Sequence, residues 1–95
     1  MAGLSEAGDH WRWLSMREVL DAWEQAPIDV EVTDLFRLLS DVSGSPLDQL
    51  PGDPFPPSQP GSLVRTKTAY GIETAFVVVH PVETHGLRLV SIRSA

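Results

Sequence analysis

Ninety-five residues with 13 acidic against 7 basic side chains carry a formal charge of −6, and a chain of this length buries a single hydrophobic core. Cysteine is absent, which removes disulfides, thiolate catalysis and every cysteine-based metal site together. No apolar run approaches the roughly 18 residues of a membrane-spanning helix, and the acidic start lacks the basic segment of a secretory signal, so a cytoplasmic protein is expected.

The charges are unevenly placed. Eleven of the thirteen acids precede residue 54, whereas Arg65, Lys67, Arg88 and Arg93 lie in the last third. A phosphate backbone is repelled at long range by such a chain, and only the C-terminal third is locally basic.

Residues 1–9 have no periodicity and predict a flexible terminus. Residues 10–14 then alternate, with Trp11 and Trp13 on one face and Arg12 on the other, as in a short strand. Ser15 and Glu18 have the spacing of a capping box and predict a helix start. Met16, Val19, Leu20, Trp23 and Ala26 form one apolar stripe, ended by Pro27.

Asp29 is the expected N-cap of a second helix with the stripe Val32, Leu35, Phe36, Leu39 and Val42, stopped at Gly44. The alternation over 28–32 also suits a strand. Continuity of the stripe and the short connection favour helix.

Residues 43–61 hold six of the eight prolines and three of the seven glycines, and predict a long irregular loop. Leu47 and Leu50 are expected on one helical turn, and Phe55 as the residue that pins the loop to the core. Three antiparallel strands follow: 62–69, a turn at Tyr70-Gly71, 72–80 with both faces buried near its end, and 87–93. In the last of these, Leu87, Leu89 and Ser91 alternate with Arg88, Val90 and Ile92. The predicted class is α+β: one domain over 10–95, with a short N-terminal strand and a two-helix hairpin packed on a C-terminal three-stranded meander (β-α-α-β-β-β).

This order resembles the RelE/ParE toxin superfamily of bacterial toxin-antitoxin systems. The matching pieces are Trp11-Arg-Trp-Leu-Ser15, Ala26-Pro27 with the stripe that follows, and Tyr70-Gly-Ile-Glu-Thr-Ala-Phe-Val-Val-Val79. The last piece is similar to the family's central strand, and Val90-Ser91-Ile92 to its closing strand.

The resemblance implies a metal-independent endoribonuclease or a gyrase inhibitor, held in check by an antitoxin segment. Ribonuclease chemistry of this kind needs cations aimed at a developing phosphorane and a proton donor or acceptor of suitable pKa. Glu73, however, stands where the family's central-strand arginine is expected, and the basic, aromatic tail is missing after Ala95. Arg65, Lys67 and Arg93 are the remaining catalytic candidates. The bland reading puts Arg65 and Lys67 on the solvated open face of the sheet, paired with Glu73 across the ladder.

His80, Glu83 and His85 match no common zinc spacing and read as turn residues around Pro81 and Gly86. No cofactor is expected. Trp11, Trp13, Glu73 and Arg88 are the candidate binding residues, the tryptophans as an aromatic patch for a partner.

The leading expectation is a protein-binding member of a toxin-antitoxin-type pair with a degraded ribonuclease site, RNA being disfavoured by charge. An active endoribonuclease or gyrase-directed toxin, and an acidic regulatory or immunity-type protein, stay open as alternatives.

Overall fold

The computed structural model describes residues 10–26 and 28–95; the segment expected to be flexible and the helix-ending Pro27 lie outside them. In chain order the elements are β1 (Arg12–Trp13), α1 (Met16–Gln25), α2 (Val32–Ser43), β2 (Asp53–Pro54), β3 (Val64–Ala69), β4 (Ile72–Val78), a 3-10 turn (Val82–Thr84) and β5 (Gly86–Ser94). One mixed sheet, ordered β1-β5-β4-β3-β2, joins all five strands; β1 runs parallel to β5 and every other pair is antiparallel.

The apolar stretch expected at the centre of the sheet is there, as β4. Ile72, Thr74, Phe76 and Val78 are buried and the residues between them half-buried. One face of β4 therefore meets the helices, where burial on both faces was expected, and the other is left open. The Tyr70-Gly71 turn has positive φ at both residues, the two-residue hairpin geometry that matches strand twist.

Both helices lie against the buried face. α1 packs on β5, and α2 on β1, β3 and β4. The core is Trp11, Val19, Leu35, Leu38, Leu39, Val42, Ile72, Phe76, Val78, Leu87 and Ile92. The stripe expected on α1 is only partly used, because Val19 alone is fully buried while Met16 and Leu20 remain exposed. On α2, Leu35, Leu39 and Val42 are buried as the stripe requires, Leu38 joins them, and Val32 and Phe36 face outward.

The helix starts differ from the sequence expectation. Ser15 adopts a left-handed conformation and makes no side-chain cap bond; its carbonyl instead accepts from the amides of Glu18 and Val19. α2 begins at Val32 with Glu31, not Asp29, at the cap position. Residues 28–31 are non-helical, and Ile28 and Val30 lay their side chains against the core from that conformation. The segment is thus neither the helix preferred from sequence nor the strand weighed against it.

Two further departures matter for the site. A β-bulge opposite Ala75 and Phe76 leaves Val90 as the extra residue of β5, which reverses the alternation after it. Ile92 turns into the core, while Val90, Ser91 and Arg93 face outward. The proline-rich loop contributes β2 as a fifth, edge strand, a position where Pro54 removes no needed donor.

Leu47 and Leu50 pack on the core from turn and coil, not from a helical turn. Phe55 is 58% exposed and pins nothing to the core.

The hairpin turn is tied to α2 by Tyr70, whose hydroxyl donates to Asp41 Oδ2 at 2.6 Å. This bond, then partial desolvation and the charge of Asp41, raise the phenol above its ordinary 10.0. A raised value means that the neutral phenol is the stabilised form, so the contribution is present below pH 10 and disappears as pH rises through the folded value. Tyr70 is the chain's one tyrosine. An absorbance titration is expected to place its midpoint above that of a free tyrosine, with a return toward the free value in Asp41→Ala.

Candidate binding face of the sheet

Strand pairing decides which side chains share the open face. Arg65 is opposite Phe76, and Lys67 opposite Thr74; both partners point into the core, so Arg65 and Lys67 lie on the helix-facing side. Glu73 is opposite Thr68 and Arg93 and lies on the other side. The expected ladder pairing of Glu73 with Arg65 or Lys67 is therefore ruled out by register. Glu73 instead accepts a hydrogen bond from Arg93 Nε.

Among the described residues Arg65 makes the most side-chain hydrogen bonds. It is 5% exposed, and Nε donates to the carbonyl of Pro51 at 2.9 Å. Nη1 donates to Pro60 at 2.9 Å and Ser62 at 3.2 Å, and Nη2 to Gly52 at 3.0 Å and Leu50 at 3.5 Å. Five N–H groups meet five carbonyl oxygens, the full capacity of a guanidinium.

The sequence explains why such a group is needed. Pro46, Pro51, Pro54, Pro56, Pro57 and Pro60 bring carbonyls without amide donors, so the loop has more acceptors than it can pair with its own backbone. Burial lowers the Arg65 pKa and the charge of Asp53 opposes this; an arginine stays protonated under either influence.

The other candidates are distributed as follows. Arg88 leaves β5 to meet Glu18 of α1, with Nε and Nη2 each 3.3 Å from a carboxylate oxygen. Lys67 is half-buried on the helix side. Trp11 is fully buried, its indole N–H donating to the Pro46 carbonyl at 3.3 Å and its ring edge-on to His85. The indole of Trp13 donates to the Leu39 carbonyl at 2.9 Å and packs edge-on against Phe76.

The tryptophans thus join β1 to α2 and the 44–46 turn, and they form no exposed aromatic patch. The Trp11 amide also donates to the Ser43 carbonyl while the Ser43 hydroxyl returns a bond to the Trp11 carbonyl. Among the described residues no three His, Asp or Glu side chains gather as a cation site, and none of the helices is long and apolar enough to cross a membrane.

What the open face does hold is a groove of about 350 Å³. Its floor is Thr66, Ala75 and Ser91, one small side chain from each of three adjacent strands. Phe55, Val64 and Val90 form an apolar wall, and the Glu73 and Arg93 pair closes the opposite side. Neither Phe55, expected from sequence to pin the loop to the core, nor Val90, expected only as part of the closing strand, was among the candidate binding residues. The bulge that turns Ser91 outward beside Val90, and the β2 pairing that lifts Phe55 above the sheet, follow from long-range contacts that local pattern does not encode.

Comparisons of the chain with protein-family models, with curated proteins and with solved structures found no significant match.

Proposed function

We propose that this chain is a RelE/ParE-like cytoplasmic protein that works by binding a protein partner, an antitoxin-type segment of a toxin-antitoxin-type pair, and does not cleave RNA. The observation that carries the reading is the fate of the cations. Arg65 is spent on loop carbonyls, Arg88 faces Glu18 and Arg93 faces Glu73, so three of the four basic side chains in the last third are committed elsewhere. A scissile phosphate needs several such groups converging without counter-charges. The open face offers an apolar groove in their place, which suits a protein ligand better than a polyanion.

Growth of cells expressing the protein alone tests the reading. No arrest is expected, and the product of an adjacent gene is expected to copurify with it. Arrest that is relieved by Arg93→Ala at unchanged protein level overturns it in favour of the ribonuclease. Arg65→Ala is unsuitable for this purpose, because its effect would arise from the fold.

A further inference from the structure

The groove on the open face differs from an enclosed metabolite site in one respect that bears on its occupant. Its wall residues Phe55 and Val90 are 58% and 61% exposed, so a small molecule lying there would keep much of its surface in water, whereas small-ligand sites bury most of the ligand. A polymer can cross such a groove and place only one side chain deep within it. The floor of Thr66, Ala75 and Ser91 leaves room for that side chain, and Phe55, Val64 and Val90 supply its apolar contacts.

Charge selects among polymers. Arg93, which lines the groove, and Arg88, on the same side of β5, each hold a carboxylate, and Asp53 stands opposite Thr66 at the β2 end of the floor. With the chain at −6 overall, the field over the face repels anions and attracts cations within about a Debye length. Glu73 and Arg93 form a solvent-exposed pair, weakly held as such pairs are, so an incoming cation can share Glu73 at little expense.

We infer that the groove is the docking site for a short basic peptide segment of a partner protein, one that inserts a single bulky apolar side chain over Ala75 and sets a lysine or arginine beside Glu73. The inference rests on the binding-protein reading and specifies the chemistry of the partner at that site.

Randomised twelve-residue peptides displayed on phage, depleted on Ala75→Phe and then selected on the wild-type protein, test it. Expected are sequences with one aromatic or large aliphatic residue flanked by Lys or Arg. The corresponding synthetic peptides should bind in fluorescence polarisation, weaken with salt, and lose on the order of tenfold in affinity to Val90→Lys, since a desolvated like charge at an interface is strongly unfavourable. Val90 is exposed, so this variant is expected to keep the wild-type thermal midpoint, and it replaces Ala75→Phe for depletion if the latter does not fold.

Acidic consensus sequences, no enrichment over the depleting variant, or undiminished binding to Val90→Lys would each overturn the inference. A natural partner that binds Val90→Lys as tightly as the wild type would also end it while leaving the binding-protein reading intact.

Discussion

Arg65→Ala is expected to unfold much of the 50–62 loop and to lower global stability by about 3 kcal/mol, because one buried carbonyl and four partly buried ones lose their donor at once and a buried unsatisfied group costs about 1–3 kcal/mol. In a domain of this size that corresponds to a fall of more than about 10 °C in the thermal midpoint. The prolines make the loss hard to repair, since neighbouring residues have few free amides to turn toward the stranded oxygens. Arg65→Lys is expected to recover only part of it. An ammonium has three donors on one centre, whereas the guanidinium fork reaches five carbonyls spread over residues 50–62. Thermal and denaturant midpoints of the two variants would settle the matter, and an Arg65→Ala midpoint within about 2 °C of the wild type would mean that water or the loop itself satisfies those carbonyls.

The same side chain shows where sequence reading reached its limit. The α+β class, the two helices and the three C-terminal strands were legible, because each is written in a local period: 3.6 residues along α1 and α2, two residues along β4. Arg65 and Lys67 were correctly placed on a shared face. Which face it was could not be read, because parity within a strand does not say which side meets the helices. That depended on the pairing of Arg65 with Phe76, and it converted a candidate phosphate ligand into a buried structural donor. The excess of carbonyls in a proline-rich loop was the available signal. A loop with six prolines has to find its donors elsewhere, and a nearby arginine two residues into the following strand is a natural source.

The open face was read with less success for a related reason. Phe55 was expected inside because it is large and apolar, yet its strand pairs through Asp53 with Thr66 and through Pro54 with Arg65, and the next residue is thereby carried to the outer side. Ser91 was assigned with Leu87 and Leu89 as though β5 kept one phase. The extra residue at Val90 broke that phase, and Ile92 took the core position. Bulges are set by the fit between strands, so the sequence of one strand does not announce them. Without the bulge, Val90 would itself stand opposite Ala75, Ser91 would turn inward and Ile92 outward, and the groove would lose Ser91 from its floor.

Gly52→Ala is the other substitution expected to be severe, and it tests whether loop and sheet are one cooperative unit. Gly52 has φ +68°, where a side chain costs about 1–2 kcal/mol through contact of Cβ with the carbonyl oxygen. The larger obstacle is space, since an added Cβ would lie 2.5 Å from the Thr66 carbonyl oxygen and 3.0 Å from Phe76 Cζ. Neither neighbour can yield freely: Thr66 belongs to the ladder between β2 and β4, and Phe76 is fully buried in the core. The loop has to move instead, and movement of Gly52 withdraws one of the carbonyls that Arg65 holds.

The combined loss is therefore expected to exceed the left-handed penalty alone, at about 3 kcal/mol or more, by the reasoning that overpacking adds about 1–3 kcal/mol to backbone strain. Because the damage passes through the Arg65 contacts, Gly52→Ala should cost less in an Arg65→Ala background than in the wild type, a coupling read directly from a double-mutant cycle. Strict additivity would show instead that the clash is absorbed within the sheet and that the loop is held by Arg65 independently of its approach at Gly52.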